Sequence, residues 1–537
     1  MISSQLPNVN GIVDKQIAFD DAAIKECLLK LDRPCYVVKG REKIGLTDRD
    51  TWSSDLEMQL LMAAPPLNVE QLGDRNFLNF YGVKYAYMTG AMAGGIASEE
   101  LVIALGKEGI LASFGAGGLS LERIASAIAR IQSALPNGIY AFNLLHSPNE
   151  PELERAAVEL YLKHNVNTIE ASAFLDLSPN IVYYRAAGLE LDADNRVKIN
   201  HKVIAKISRR EVAAKFLQPA PSKILQELVA QGKITELQAS LAERVPMADD
   251  ITVEADSGGH TDNRPLVCLF PAIAELRDEI QRQYNYPDPV RIGVAGGIST
   301  PQAALAAYMM GAAYVVTGSV NQSCVEAGTC QHTKKLLAQA EMHDVMMAPA
   351  ADMFEMGVKL QVLKRGTMYA MRSQKLYELY KNYDSIADIP PTEKTKLEKQ
   401  IFRKSLDEVW QLTVNYLSQR NPDKLAKARQ NPKLKMALIF RWYLGLSSRW
   451  SNSGEAGREI DYQIWCGPAM GAFNNWVKGS YLEPLSDRRV VDVALHILTG
   501  AAYLYRVQNL KLQGLDLSDR LSSYQPPYGR FKKRPHP

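Results

Sequence analysis

The sequence predicts an α/β fold: a (β/α)8 TIM barrel with a small N-terminal subdomain and a C-terminal helical domain. From residue 83 onward, short apolar strands, glycine turns and helical segments alternate at about the βαβ period. The last two strands both end in glycine turns, Gly296-Gly297 and Gly318-Ser319, which match the phosphate site after strands 7 and 8 of such barrels. An open dinucleotide-binding sheet fits less well, because its GxGxxG fingerprint with a downstream acid is missing.

Eight barrel strands can be placed in order along the chain. They are predicted at residues 83–89, 110–114, 139–144, 168–171, 202–207, 251–255, 291–295 and 313–317. Helices are predicted from Ser98, at 121–135, and between the last two strands, where Thr300 is the cap and Gly311 the stop. Glycine turns let backbone N–H groups close on an anion, and a helix that follows adds partial positive charge.

The pattern divides the chain into four parts. We expect the small subdomain at residues 1–80, the barrel at 81–340, a helical domain at 341–525 and a basic tail at 526–537. Residues 208–245 are rich in Ala, Leu, Lys and Glu at helical spacing and are predicted to form a helical insertion outside the barrel. Strands are predicted to cease after about residue 340. The amphipathic segments 376–449 and 490–505 are predicted to expose charged faces and, with the rest of this region, to cover the substrate at the barrel rim.

Composition excludes some classes of function. The chain has 537 residues, too many for one core, with 46% hydrophobic residues, 23% charged residues and a net charge of +3. This balance predicts neither a nucleic-acid partner nor a membrane surface. The apolar run 303–320 is about as long as a membrane span, but Gly311 divides it into a helix and a strand, so no span is predicted.

The six cysteines indicate a reducing compartment. They contain no CxxC pair, and the first ten residues lack a basic-then-apolar signal, so we expect a cytoplasmic protein. Cys324, Cys330 and His332 form a cluster, but it lacks the paired close spacing of zinc motifs. No metal site is predicted.

His260 is the strongest catalytic candidate. It follows the sixth strand within ADSGGHTDNRP, so its imidazole is expected at the barrel mouth, where it can give or take a proton at neutral pH. The preceding Gly258 and Gly259 would allow the backbone to approach a flat ring closely. The alternative is a capping histidine in a glycine-rich turn.

Other strand ends carry candidate binding residues. Thr89, Gly90, Ala91 and Met92 are small or offer backbone groups, which leaves room for a planar cofactor edge. Asn143 ends the third strand and can donate or accept at the polar edge of a ring, although it could equally be a turn cap. Lys206 ends the fifth strand and Glu170 the fourth. The lysine either faces a cofactor phosphate or reduced ring, or is a solvated or ion-paired surface charge.

Six sequence blocks carry a resemblance to a known family. They are GAMAGGIAS from Gly90, SFGAGGLS from Ser113, ADSGGHTDNRPL from Ala255, GVAGGISTPQAA from Gly293, VTGSVNQSCVEAGT from Val316 and RWSNSGEAGREIDYQIWCGPAMGAFN from Arg449. In this order they resemble the flavin-dependent nitronate monooxygenase superfamily. The match is closer to its PfaD-type trans-acting enoyl reductases of polyunsaturated fatty acid and polyketide synthases. The sequence departs from the general GGHxG pattern, because Thr261 and Asp262 follow His260.

The resemblance implies a cofactor, a reductant and partners. It implies FMN at the barrel mouth, with its phosphate on the turns Gly296-Gly297 and Gly318-Ser319, and NADPH or NADH as the reductant. It implies enoyl thioesters on acyl carrier protein domains of a synthase as substrates, and it leaves a homodimer open. With such substrates, the helical region 341–525 is predicted to form a substrate lid and a carrier-docking surface, whereas the charged face of any single helix could equally be plain solvated surface. Reduction of a conjugated thioester places hydride on the β-carbon and needs a proton at the α-carbon, a role that suits His260.

Two rival functions stay open at this point. One is oxidation of an alkyl nitronate with the same cofactor and a histidine base. The other is a barrel without catalytic activity that binds a phosphorylated ligand and serves as a docking subunit of a synthase.

Overall fold

The computed structural model describes residues 17–40, 43–50, 58–136, 138–147 and 151–527. The first ten residues and the basic segment 529–537, on which two of the expectations above depend, lie outside the described residues.

The strands, numbered along the chain, are β1 (Cys35–Lys39), β2 (Ile44–Thr47), β3 (Gln59–Ala64), β4 (Tyr87–Thr89), β5 (Leu111–Phe114), β6 (Ala141–Leu145), β7 (Thr168–Ser172), β8 (Leu189–Leu191), β9 (Val197–Ile199), β10 (Lys202–Ile207), β11 (Asp250–Glu254), β12 (Arg291–Ala295), β13 (Val315–Thr317), β14 (Val345–Pro349) and β15 (Lys359–Leu363).

The α-helices are numbered in the same way. They are α1 (Asp21–Leu29), α2 (Arg75–Tyr81), α3 (Glu99–Lys107), α4 (Leu121–Ala134), α5 (Pro151–Lys163), α6 (Pro179–Ala187), α7 (Arg210–Leu217), α8 (Ser222–Ala230), α9 (Glu236–Ala242), α10 (Leu266–Tyr284), α11 (Pro301–Met309), α12 (Ser319–Gln322), α13 (Gln331–Ala338), α14 (Tyr369–Asn382), α15 (Pro391–Lys396), α16 (Leu406–Arg420), α17 (Pro422–Gln430), α18 (Pro432–Ser453), α19 (Ala469–Val477) and α20 (Val490–Leu512).

Eight parallel strands close into a barrel, which confirms the predicted fold. The strand order around the barrel is β10, β11, β12, β13, β4, β5, β6 and β7. Each of these strands falls on one of the eight predicted segments. The caps also agree with the sequence, because the Ser98 side chain accepts a hydrogen bond from a backbone N–H of α3 and Thr300 does the same for α11.

A three-stranded antiparallel sheet, β2-β1-β3, and helix α1 form the N-terminal region. Arg506 of α20 joins this region to the rest of the protein. This residue is 2% exposed, and its guanidinium donates to the carbonyl oxygens of Leu28, Lys30 and Arg33, among others. A buried guanidinium needs such acceptors, so the N-terminal region is fixed to α20 through its backbone.

Residues 208–245 contain the predicted helices α7, α8 and α9. The hairpin formed by β8 and β9 just before them was not predicted, because its strands are only three residues long. The domain boundaries proposed from the sequence stay predictions.

The prediction that strands cease after about residue 340 is wrong. Strands β14 and β15 form an antiparallel hairpin at Val345–Pro349 and Lys359–Leu363. The hairpin contains short apolar runs, with Met346 and Met347 in one strand and Leu360 and Val362 in the other. Such runs occur both in strands and in buried helices, so their spacing did not distinguish a strand from a helix.

The prediction that residues 490–505 expose a charged face is also wrong. Helix α20 is buried along nearly all of its length and packs mainly on α11 and also on α3. The helix thus takes the position expected for the last helix of the barrel, between the helices that follow strands 7 and 1. Residues 318–489 therefore form an insertion between the eighth strand and this helix. By length and composition α20 could cross a membrane, but 83% of its apolar window is buried inside the protein.

Candidate active site

The carboxyl ends of the barrel strands meet the inserted residues 318–489 at the barrel mouth. His260 lies there, in the loop after β11. Its Nε2 atom is 3.2 Å from Oδ1 of Asp352, which lies in the turn between β14 and β15. The His260 side chain is 41% exposed, so a substrate can reach it. The structure therefore places His260 in an open site and gives it a carboxylate partner.

The ion pair between His260 and Asp352 changes the pKa of both groups. Burial disfavours the imidazolium, but the hydrogen bond and charge of Asp352 outweigh it and raise the pKa of His260 above its ordinary value. Burial also opposes ionisation of Asp352, but His260 lowers the pKa of this carboxyl overall. Both shifts favour the charged pair, so the histidine holds its proton to higher pH than a free imidazole.

The hairpin holds the loop that carries His260. Gly259 donates its N–H to the carbonyl of Gln361 on β15 at 2.9 Å, and Gln361 returns a hydrogen bond to the Gly259 carbonyl at 2.7 Å. The Gln361 side chain also donates to Oδ1 of Asp256 and to the Ser257 carbonyl. Gly259 has a φ of +80°, which favours glycine. The loop is thus paired like an extra strand with the inserted residues.

A second inserted segment, residues 465–467, packs against the same loop. A Cβ atom built on Gly258 would lie 2.8 Å from the backbone nitrogen of Cys466, and one built on Gly467 would lie 2.9 Å from the nitrogen of Gly258. Both positions therefore need glycine because two backbones meet. Gly258 approaches this segment closely, and its role in binding a ring stays a prediction.

The two glycine turns after β12 and β13 leave space beside their backbones. Gly297 has a φ of +76°, and a Cβ atom added to Gly297 or Gly318 would meet no heavy atom within 4 Å. Gly296, in contrast, is packed against Ala255. A Cβ atom added to Gly296 would lie 2.7 Å from the carbonyl carbon of Ala255. Ser319 begins the short helix α12, and its hydroxyl accepts a hydrogen bond from the Gly467 N–H at 3.1 Å. These turns fit a small anion such as a phosphate group.

The turn after β4 is held by the neighbouring strands. Thr89 is buried, and its hydroxyl oxygen accepts a hydrogen bond from Asn321. Gly90 donates to the Thr317 carbonyl, and the Ala91 N–H donates to Oε2 of Glu170 at 2.7 Å. Met92 is half-buried at the same turn. The predicted residues of this turn thus lie at the barrel mouth.

A row of charged side chains, Glu170, Lys206 and Glu254, lies next to this turn. Lys206 Nζ is 2.8 Å from Oε1 of Glu254, so this largely buried lysine forms an ion pair, and its role towards a cofactor phosphate or reduced ring stays a prediction. Burial opposes its charge, but Glu254 and Glu170 raise the pKa of Lys206 overall. Burial raises the pKa of Glu170, although Lys206 and the Ala91 N–H oppose this rise.

Asn143 donates to the Glu170 carbonyl and to Ser172, so it links two strands instead of capping a turn.

Several buried polar atoms around the mouth lack a protein partner. Within the described residues these include Nε1 of Trp465, Oδ1 of Asn452, Oδ1 of Asn321 and Nε2 of Gln322. Asn452 lies against the turn after β4, because a Cβ added to Gly94 would be 2.9 Å from its Nδ2 atom. Unpaired buried donors and acceptors are costly, so they indicate a polar ligand or water at this site. Together with the open glycine turns, they fit a phosphate-bearing ligand with a polar ring system.

Sequence reasoning did not identify every residue at this site. Asp352 and Gln361 lie in the unpredicted hairpin, and no local motif surrounds them. Trp465 and Gly467 are different, because they belong to the block from Arg449 that carries the family resemblance. That block could have been expected at the mouth.

The cysteine and histidine cluster has structural contacts. The Cys330 sulfur accepts a hydrogen bond from the Thr333 N–H at the start of α13, Cys324 is buried, and the His332 ring meets Tyr462 edge to face. In the described part of the chain, no group of three or more His, Cys, Asp or Glu side chains could hold a metal ion.

Three family models match this chain. The model for nitronate monooxygenase matches residues 77–380, which is more than half of the chain. The model for the N-terminal domain of fatty acid synthase subunit PfaD matches residues 13–66. A third, for the inserted helical domain of [acyl-carrier-protein] S-malonyltransferase, matches residues 383–462.

Similar proteins include a polyunsaturated fatty acid synthase subunit and a polyketide biosynthesis protein. A polyunsaturated fatty acid synthase polypeptide of a Thraustochytrium species is 50% identical over 513 residues, which are 94% of this chain and 34% of that protein. Polyketide biosynthesis protein PksE of Bacillus subtilis is 46% identical over 440 residues, which are 82% of this chain and 57% of PksE. The chain thus spans between a third and somewhat over half of these relatives.

One solved structure is similar over its whole length. The enoyl reductase domain of MlnA, from the macrolactin biosynthesis cluster of Bacillus amyloliquefaciens, is 39% identical with a TM-score of 0.79. The alignment covers 83% of this chain and 100% of that domain. With the barrel, the loop that contains Gly258, Gly259 and His260 (the GGH loop) and the two glycine turns, these matches show that the chain belongs to the nitronate monooxygenase family and, within it, to the PfaD-type enoyl reductase branch.

Proposed function

We propose that this protein is an FMN-dependent enoyl reductase that acts in trans on enoyl thioesters carried by the acyl carrier protein of a polyunsaturated fatty acid or polyketide synthase. The observation that carries the proposal is the pair of His260 and Asp352 at the open mouth of a barrel with two glycine turns. Similarity to the whole enoyl reductase domain of MlnA supports the choice of reaction.

FMN fits the residues at the mouth. Its phosphate would lie on Gly296-Gly297 and Gly318-Ser319, where the backbone has space for an anion, and its ring system near Thr89, Gly90, Ala91 and Met92. When bound, FMN would supply hydride for the β-carbon of the substrate after reduction by NADPH or NADH. The short turns suit one terminal phosphate rather than the longer pyrophosphate of FAD.

His260 would supply the proton that completes the reduction. Its Nε2 atom faces Asp352, which leaves Nδ1 free of that carboxylate and available to a substrate. Asp352 raises the pKa of His260, so more of the imidazolium is present near neutral pH. Such a group can protonate the α-carbon or stabilise the charge of an enolate.

The inserted residues would cover the substrate and contact its carrier. Residues 465–467 and the hairpin already close over the GGH loop, which limits access of water to that side of the site. Helices α16 and α17 expose Arg420, Lys427 and Arg429. The same helices also expose Asp407 and Asp423, so the proposal takes only these three cations as contacts for an acidic carrier protein. An ordinary solvated surface is the alternative.

Anaerobic spectroscopy tests the proposal. The purified protein should be yellow, release FMN on denaturation, lose flavin absorbance with NADPH or NADH, and regain it with an enoyl thioester. Release of mainly FAD would contradict the cofactor assignment. The flavin could instead be reoxidised by nitroalkanes or their nitronates and by none of a panel of enoyl thioesters. That result would favour nitronate oxidation, which is supported by the match of residues 77–380 to the nitronate monooxygenase model. A colourless protein that cannot be reconstituted would favour the docking role.

Cellular location and assembly belong to the same proposal. The six cysteines are free thiols, which agrees with a reducing cytoplasm. Light scattering at several concentrations would test the homodimer that the family resemblance leaves open.

A further inference from the structure

We propose that a cleft lined by arginines at the barrel rim binds a phosphate ester of a ligand that reaches the active site. The cleft has a volume of about 420 Å³ and is lined by Ser208, Arg209, Arg210, Glu211 and Arg264. The inference rests on the proposed function, because the ligands considered are those of an enoyl reductase. It assigns a second anion site to the chain, separate from the two glycine turns.

The position of the cleft follows from barrel topology. Ser208 and Arg209 follow the carboxyl end of β10, and Arg264 ends the loop after β11, four residues beyond His260. Strands β10 and β11 are neighbours, so these two loops meet at the mouth. The glycine turns lie after β12 and β13, farther around the barrel. A ligand bound at the glycine turns therefore leaves the cleft available to a different group.

The charges of the cleft favour a phosphate. Arg209 is held by Asp262 through Nε and Nη2 at 2.9 and 3.0 Å, and Arg210 is held by Glu279 at 2.8 Å. Each of these guanidinium groups keeps further N–H donors. Among the described residues, Arg264 has no carboxylate within 4.0 Å. Asp262 and Glu279 thus neutralise two of the three lining arginines, and Glu211 adds a further carboxylate, so Arg264 is the guanidinium on which phosphate binding chiefly depends. Arginine is the side chain best suited to a planar contact with phosphate.

The start of α7 adds backbone donors to the cleft. Arg209 is the N-cap of this eight-residue helix, and its side chain makes no capping hydrogen bond. The first N–H groups of a helix have no partner within the helix and carry partial positive charge. These donors lie beside Arg209 and Arg210, so the same anion could accept hydrogen bonds from backbone and side chains.

Two ligands of the proposed reaction carry a suitable phosphate. One is NADPH, whose 2′-phosphate distinguishes it from NADH. The other is the phosphopantetheine arm that joins an acyl group to its carrier protein. Both present a phosphate ester some distance from the reacting atoms, which agrees with a site at the rim rather than in the mouth. The chemistry of recognition is the same, and the experiment separates the two sources.

The test compares Arg264→Gln with a control variant, Arg282→Gln. Arg282 is exposed in the last turn of α10, and Arg264 precedes the same helix. At about 1.5 Å per residue, the two lie roughly 27 Å apart along the helix axis. Flavin content and thermal unfolding should be unchanged in both variants. If Arg264→Gln unfolds, Arg210→Gln provides a second test.

Binding is measured first without turnover. Calorimetry with 2′,5′-ADP and with phosphopantetheine gives affinities that do not depend on any reductase activity. Loss of one charge-assisted hydrogen bond should weaken the ligand that uses the cleft by about 10-fold or more, and Arg282→Gln should not change it. If wild-type protein binds neither ligand, or if Arg264→Gln and Arg210→Gln both bind as wild type does, the inference is wrong.

Kinetics then identify the ligand. A weaker Kd for NADPH with unchanged Kd for NADH in flavin reduction assigns the cleft to the 2′-phosphate. A higher KM for an enoyl phosphopantetheine with unchanged KM for the matching enoyl pantetheine assigns it to the carrier arm. If the protein reduces no enoyl thioester but binds 2′,5′-ADP through Arg264, the proposed function fails and the anion site stands. Equal effects on the phosphorylated and unphosphorylated ligands would overturn the phosphate assignment.

Discussion

His260 and Asp352 are 92 residues apart in the sequence, and their side chains meet at the barrel mouth with 3.2 Å between Nε2 and Oδ1. The histidine belongs to a barrel loop, whereas the aspartate belongs to the insertion between the eighth strand and α20. The proposed proton donor therefore depends on both parts of the chain. In the proposed mechanism, this relationship would make the insertion part of the chemistry as well as a cover for the substrate.

We predict that His260→Ala binds flavin and allows its reduction by NADPH as in the wild type. Reoxidation by an enoyl thioester should be slower by about 10²- to 10⁴-fold, the usual effect of losing a general acid. Stopped-flow absorbance separates the two half-reactions. His343→Ala, which removes a mostly exposed histidine from the insertion, is the control and should leave both rates unchanged. An unchanged reoxidation rate in His260→Ala would exclude His260 from the mechanism.

Asp352→Asn should change the pH dependence of reoxidation. In the wild type, Asp352 raises the pKa of His260, so the protonated, active form persists to higher pH. Without the carboxylate charge this pKa falls, and the loss of rate with rising pH should begin at lower pH. Flavin content and the rate of flavin reduction should not change. A pH profile identical to the wild type would show that Asp352 does not act through His260.

Gly297→Asp should remove flavin from a folded protein. The φ of Gly297 is +76°, so any side chain strains the backbone, but no heavy atom lies within 4 Å of an added Cβ. Gly297→Ala introduces the same strain without charge and is the matched control. We expect Gly297→Ala to keep most of its flavin and Gly297→Asp to lose it. The cofactor-to-protein ratio measures both, and full flavin content in a folded Gly297→Asp would refute a phosphate at this turn.

Gly258→Ala should loosen the contact between the GGH loop and residues 465–467. Its Cβ would lie 2.8 Å from the Cys466 nitrogen, so one backbone must move, at a cost of about 1–3 kcal/mol in stability. Gly445→Ala is the control, because its Cβ would meet nothing within 4 Å inside α18. That variant should gain about 0.4–1 kcal/mol. Denaturant unfolding compares the two, and equal stability changes would mean that the backbone contact is unimportant.

The sequence predicted the barrel well because its signals are local. Each barrel strand is a short buried run followed by a turn, and Gly296 and Gly318 mark two of those turns. It could not predict the partner of His260, because that contact depends on where a hairpin folds long after the loop. Nor could it show that α20 completes the barrel, since an apolar helix has the same pattern whether it packs on the barrel or elsewhere. Period alone does not identify the surface against which a helix packs.

The last prediction concerns carrier docking by α16 and α17. Because α20 is buried, the docking surface expected from the sequence is restricted to the earlier helices, where Arg420, Lys427 and Arg429 are exposed. The triple change of these residues to Glu should raise the KM for a carrier-bound enoyl thioester by about 10-fold or more and should leave the KM for a small thioester unchanged. The physical reason is that charges of opposite sign accelerate and orient protein association.

The matched control reverses three charges at the opposite end of the barrel. Lys107, Lys163 and Arg282 lie in the last turns of α3, α5 and α10, and all are exposed. This variant has the same change in net charge, so it measures the general effect of charge on carrier binding. Steady-state kinetics at low and high salt should show a difference between the two variants that shrinks as salt screens the charges. If both variants have the same KM for the carrier-bound substrate, α16 and α17 do not form the docking surface.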